Sequence, residues 1–173
     1  FEMTDTEDDA DIIIINTCCF INDAKEESIN TILEMAEYKK TGPCKALIVT
    51  GCLAQRYKQE IVDEIPEVDA VIGTSKYDEI FDAVDQALKG SHFLDVDDLD
   101  RLPSVPGKRI LTTGGHYAYM KIAEGCDKHC TYCIIPYARG PIRSLPLEKA
   151  KEQAAQLAAE GYQELVLTGI EIS

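Results

Sequence analysis

The sequence predicts an α/β protein: an amino-terminal parallel-sheet α/β domain, followed by the start of a second unit of β/α type. Three observations predict it. Short β-branched runs alternate with helical periodicities through residues 1–90. The strand runs are continuously apolar, as in sheets covered on both faces. After a poorly periodic break, a strand, a loop, a helix and another strand follow from His116 to the end, which is again β/α order.

The elements can be justified in turn. Asp11-Ile12-Ile13-Ile14-Ile15 reads as a strand buried on both faces. A helix starts near Asp23, where Asp23 and Glu26 have N-cap and N3 spacing, with Ile29, Ile32, Leu33 and Ala36 as its apolar stripe. Ala46-Leu47-Ile48-Val49 is the next strand, and Tyr57, Ile61, Val62 and Ile65 mark the helix after it. Asp69-Ala70-Val71-Ile72 is a third strand, closed by Gly73. Ser75 is placed to cap a helix bearing Tyr77, Ile80, Phe81, Val84 and Leu88.

Residues 91–115 carry Pro103, Pro106, Gly107 and Gly114-Gly115 and read as a linker. Beyond it, Tyr117 to Ala123 is a strand, and a cysteine-bearing loop runs to about Gly140. Pro146 suits the first turn of a helix with Leu147, Ala150, Ala154, Leu157 and Ala158 inward and Gly161 as its stop. Glu164 to Thr168 is the following strand. The division is therefore 1–90, a linker over 91–115, and 116–173.

Composition bounds the partners. The chain has 173 residues and a net charge of −14, so it does not coat nucleic acid by bulk charge. The acid is partly local, in Asp5–Asp11 and in Asp95, Asp97, Asp98 and Asp100, and such runs read as solvated faces or linkers. No apolar run is long enough to span a bilayer, and no membrane partner is expected. Seven cysteines, an odd number, read as thiols kept reduced for metal in the cytoplasm. The chain opens on Phe1 and stops after a strand-like run, so both ends are expected to continue.

The chemistry concentrates in Glu124-Gly125-Cys126-Asp127-Lys128-His129-Cys130-Thr131-Tyr132-Cys133. Three cysteines in C-x3-C-x2-C spacing suit three thiolates on one centre. A cysteine-held iron–sulfur cluster normally takes four ligands, so three leave one iron open. A zinc site and a Cys130–Cys133 redox pair are the alternatives; zinc would need His129 or His116 as a fourth ligand. Arg139 and Arg143 suit a phosphate, a carboxylate or a partner surface, but a solvated loop is the favoured reading, and His129 is expected to face solvent.

In a parallel sheet the carboxyl ends of the strands share one edge, where ligands bind. Cys18 and Cys52 follow directly on two predicted strands and are expected to be neighbours there. Buried small apolar residues are the alternative for both. Only one of the adjacent Cys18 and Cys19 is expected to point at one site, and Cys44 reads as incidental.

Cys126, Cys130 and Cys133, with Tyr132 before the last, resemble the signature of the radical S-adenosylmethionine enzymes. There the open iron binds S-adenosyl-L-methionine, and the reduced cluster releases a 5′-deoxyadenosyl radical. Asn16-Thr17-Cys18-Cys19-Phe20 and Thr50-Gly51-Cys52-Leu53-Ala54-Gln55-Arg56-Tyr57 extend the resemblance to the methylthiotransferases of that superfamily, over essentially the whole chain. The resemblance implies a truncated amino-terminal methylthiotransferase domain and the first part of a radical S-adenosylmethionine β/α barrel. It implies two 4Fe-4S clusters, the second held by Cys18, Cys52 and a cysteine before Phe1, with Cys19 left out.

Tyr132 becomes a candidate to pack near a bound adenine, or against the barrel; no side chain is assigned as a catalytic acid, base or nucleophile. The amino-terminal half and Tyr117-Ala118-Tyr119-Met120-Lys121-Ile122-Ala123-Glu124-Gly125 resemble the branch that modifies the β-carbon of an aspartate in ribosomal protein S12. Pro136–Ser144 and Leu167–Ser173 resemble the branch that methylthiolates an adenosine beside the tRNA anticodon. The S12 branch is expected because its match is longer, with tRNA as the alternative substrate and a reductant such as flavodoxin or ferredoxin as partner. An iron–sulfur electron-transfer module is the alternative from another class. These 173 residues alone are expected to turn over little.

Overall fold

The computed structural model describes residues 1–96, 99–102 and 115–172. The chain divides into two compact units, Phe1–Asp98 and Leu99–Ser173. The α/β class expected from the sequence holds in both.

In the first unit, strands β1 (Ile12–Thr17), β2 (Ala46–Gly51), β3 (Ala70–Ile72) and β4 (Phe93–Asp95) pair in sequence order, all parallel. Between them run helices α1 (Asn22–Thr41), α2 (Cys52–Glu64) and α3 (Ile80–Leu88). The fourth strand comes from the stretch read as linker; most of the remaining linker residues, with Asp97 and Asp98, lie outside the described residues. β2 is buried along its whole length, as a continuously apolar central strand should be. One face, carrying Ala46, Ile48, Ala70 and Ile72, packs on Ala83, Val84 and Ala87 of α3. The other, carrying Ile13, Ile15, Leu47, Val49 and Val71, lies under α1 and α2, where Lys25 Nζ of α1 sits 5.4 Å from the Tyr57 ring of α2. Lys39 of α1 ties that layer to the sheet through Asp69 at 2.5 Å and the Glu67 carbonyl at 2.9 Å.

Several expected faces are corrected. β1 is an edge strand and is not buried on both faces: Ile14 is 46% exposed, because α3 does not reach across to it. α1 begins at Asn22 with no side-chain cap from Asp23. Its buried row is Ser28, Ile32 and Ala36, leaving Ile29 and Leu33 exposed, because Ser28 turns inward to bond the backbone of Cys18. A 3-10 turn, Tyr77–Glu79, precedes α3, so Ser75 lies buried in the loop before that turn and not at the first residue of α3, and Phe81 and Leu88 face outward. Phe81 stacks on Phe1 at 5.8 Å. Asp95 is no solvated acid: it lies in β4, 3.2 Å from Lys76.

In the second unit, β5 (Tyr117–Lys121) pairs parallel with β8 (Glu164–Thr168). β6 (Ala123–Glu124) pairs antiparallel with β7 (Arg143–Ser144), and α4 (Ile135–Arg139) lies between them in the chain. α5 (Leu147–Ala159) supplies Leu157 to a core with Ala118 and Met120, flanked by Ala150 and Ala154. Pro146 is its N-cap, Leu147 and Ala158 are exposed, and Gly161 at φ +99° follows its end, as the expected stop requires. Among the described residues no helix is long and apolar enough to cross a membrane.

Candidate functional site

The sheet of the first unit gathers cysteines by register. Thr17 pairs with Gly51 at the last step of the β1–β2 ladder, so Cys18 and Cys52 leave neighbouring parallel strands at the same edge. Gly51 makes this possible. Its φ is +98°, and a Cβ there would run into the Thr17 carbonyl and come within 2.6 Å of Asn16 Oδ1. Thr17 Oγ1 donates to the Thr50 carbonyl at 2.6 Å and accepts from the Ala54 amide at 3.4 Å, tying the end of β1 to the first turn of α2. Ser28 Oγ accepts from the Cys18 amide at 3.0 Å and lies 3.1 Å from its carbonyl.

The three thiols at this edge differ. Cys18 is exposed, Cys52 half-buried and Cys19 buried. Burial pushes the Cys19 thiol up, and the nearby Cys52 adds to this, while Arg56 opposes both through its charge and a hydrogen bond. Cys19, set aside in the sequence, is thus close enough to Cys52 and Arg56 for their charges to act on it. Cys44 is a buried packing residue whose thiol donates to the Ala46 carbonyl at 3.5 Å.

The second unit gathers cysteines on one loop. Gly125 starts it at φ +75°, where a Cβ would collide with the carbonyls of Gly140 and Pro141. The Cys126 amide donates to the Gly140 carbonyl at 3.1 Å, and the Cys133 amide to the Cys130 carbonyl at 2.9 Å. Between them His129 adopts φ 46°, uncommon for a residue with a side chain, and faces solvent as expected. Cys130 is exposed, and Cys126 and Cys133 are half-buried. Tyr132 is 90% exposed.

Two carboxylates missed as site residues brace this loop. Glu124, at its root, is buried and pairs with Lys121 and with Arg139 at 3.4 Å. Arg143 Nη2 donates to the Arg139 carbonyl at 2.8 Å. Both arginines are thus held inside the unit, against the expectation of a solvated loop. Glu171, just past β8, meets the Asp127 amide at 3.2 Å, Lys128 Nζ at 2.8 Å and Cys126 Sγ at 3.4 Å. The Lys128 amide draws the Cys126 thiol down, but desolvation, Glu171 and Cys130 carry it above its usual range. Lys128 and the Asp127 amide hold Glu171 below the usual carboxylate range. The signal for Glu171 lay in its position: it follows a strand at the same carboxyl edge that pointed to the cysteines.

Among the described residues no group of three or more His, Cys, Asp or Glu side chains is close enough to hold a metal ion. The structure thus places Cys126, Cys130 and Cys133 on one braced loop without converging their sulfurs. The donor set nevertheless fits a cluster. All three are free thiols, none fully buried, on a loop whose backbone is fixed at both ends.

The model of an uncharacterised protein family, UPF0004, matches residues 1–73, and that of the radical SAM superfamily matches residues 120–173. The chain is 60% identical over 96% of its length to ribosomal protein uS12 methylthiotransferase RimO of Lachnoclostridium phytofermentans, of which the match covers 38%. It is 47% identical over its whole length to the protein of that name from Acetivibrio thermocellus, of which 40% is covered. The chain therefore spans well under half the length of these curated relatives.

Proposed function

The chain is a relative of the radical S-adenosylmethionine methylthiotransferases, and on that premise we propose that this protein transfers a methylthio group to ribosomal protein S12, at the β-carbon of an aspartate. The observation that carries the reading is the braced loop of three free thiols, lying in the segment that matches the radical SAM superfamily. The 60% identity to a uS12 methylthiotransferase supports S12 as the substrate.

Cys126, Cys130 and Cys133 would hold one 4Fe-4S cluster with one iron left for S-adenosyl-L-methionine. Cys18 and Cys52, delivered to one sheet edge by the β1–β2 register, would be donors to a second. Bound there, these groups supply hydrogen abstraction and sulfur insertion, fed by a reductant such as flavodoxin or ferredoxin; the protein supplies placement. Gly125 and the Gly140 carbonyl set where the loop leaves β6. The exposed Tyr132 ring, next to Cys133, is available to cover a bound adenine. We take residues 1–90 together with β4 as one functional domain and 116–173 as the other, with the rest of 91–115 joining them.

The test gives the reconstituted full-length protein a reductant, sulfide, S-adenosyl-L-methionine and either S12 or tRNA. A mass gain of one methylthio group on an S12 aspartate is expected. Modification of a tRNA adenosine instead would move the protein to the other branch. Cluster reduction without any cleavage of S-adenosyl-L-methionine would make it an electron-transfer module.

A further inference from the structure

We infer that Glu171 is a positioning residue that anchors the crest of the cysteine loop from the neighbouring strand β8. The inference rests on the reading of Cys126, Cys130 and Cys133 as metal ligands. The partners of Glu171 are Cys126, Asp127 and Lys128, all in the stretch that begins at the first cysteine and ends before the second. Its side chain is only 10% exposed, whereas that of Lys128 is 61% exposed. An ion pair to so exposed a lysine contributes little. A backbone amide donating to a nearly buried carboxylate is a charge-assisted bond and the stronger contact. The Asp127 amide therefore carries the anchor.

Asp127 passes the constraint on. Its Oδ1 accepts the Ile142 amide at 2.9 Å, next to β7. One residue thus joins three segments: the end of β8, the cysteine loop, and the return of the chain after α4. Glu124 braces the same loop differently, through Arg139 and at its root. With Glu171 in place, the bend between Cys126 and Cys130 persists before any ligand is bound. Loading still has to bring the three sulfurs together, but from a loop already held at Asp127, which leaves less chain to order.

Two readouts on the full chain test this, one of which needs no metal. Amide hydrogen exchange reports the apo loop. Glu171→Ala should speed exchange at Asp127 by roughly tenfold or more, since the amide loses its acceptor. Glu171→Gln keeps a carbonyl acceptor and should recover part of the protection, and Lys128→Ala should change it little. Anaerobic reconstitution reports loading: Glu171→Ala should take up iron and sulfide roughly threefold or more slowly, and its reduced cluster should show an altered electron paramagnetic resonance line shape. Unchanged Asp127 exchange in Glu171→Ala would overturn the inference, as would equal protection in the Gln and Ala variants. If the wild-type loop takes up no cluster, the metal reading falls, and the exchange measurement still decides the anchor.

Discussion

The two cysteine groups are assembled by opposite means. Cys18 and Cys52 come to one sheet edge because two strands distant in sequence pair in one register. Cys126, Cys130 and Cys133 share a loop because the sequence places them there, and contacts within it and from the end of β8 shape it. A pair placed by register is as stable as the sheet beneath it. A group carried on a loop survives changes in the core but depends on its anchors.

The sharpest way to break the comparison is through the core. Ile48 is fully buried at the centre of β2, so Ile48→Ala should cost about 2–5 kcal/mol of the first unit's stability and loosen the β1–β2 edge. Denaturant unfolding checks this, and alkylation of Cys126, Cys130 and Cys133 should be unaffected. Next come the two strained glycines. Gly51→Ala and Gly125→Ala each place a side chain at positive φ against backbone, costing about 1–3 kcal/mol apiece before the clash is relieved. Iron analysis should show Gly51→Ala impairing only the Cys18–Cys52 centre and Gly125→Ala only the loop centre.

A smaller effect is expected at Lys39, which joins α1 to Asp69 and the Glu67 carbonyl with its side chain 20% exposed. Lys39→Ala should cost about 1–2 kcal/mol in the same unfolding assay. The smallest belongs to Ile14→Ala, on the open face of the edge strand, which should stay within about 0.5 kcal/mol. A large loss there would mean that another part of the protein covers that face.

How much the sequence disclosed follows the same division. The β-branched runs located β1, β2 and β3, and Gly161 marked the end of α5, because these are local signals. The faces of the helices were legible only in part. Apolar spacing put Leu33, Phe81 and Leu147 inside, but the sheet order and the inward turn of Ser28 decided which residues the core could take. That β1 is an edge is a tertiary fact, so Ile14 looked like its neighbours. The loop cysteines were legible from spacing alone, and Cys18 with Cys52 from the rule about strand ends. The carboxylates were not. Glu171 lies far along the chain from Asp127, and nothing in the spacing joins them before β5 and β8 pair.

The central claim is that the loop thiols hold a cluster of their own. It is tested most directly by iron and sulfide content after anaerobic reconstitution, comparing the full chain with a variant in which Cys126, Cys130 and Cys133 are all alanine. The account predicts that the variant loses about four iron atoms per chain, with any remainder held at the Cys18–Cys52 edge. Unchanged iron, or zinc taken up by the wild-type loop in its place, would contradict it.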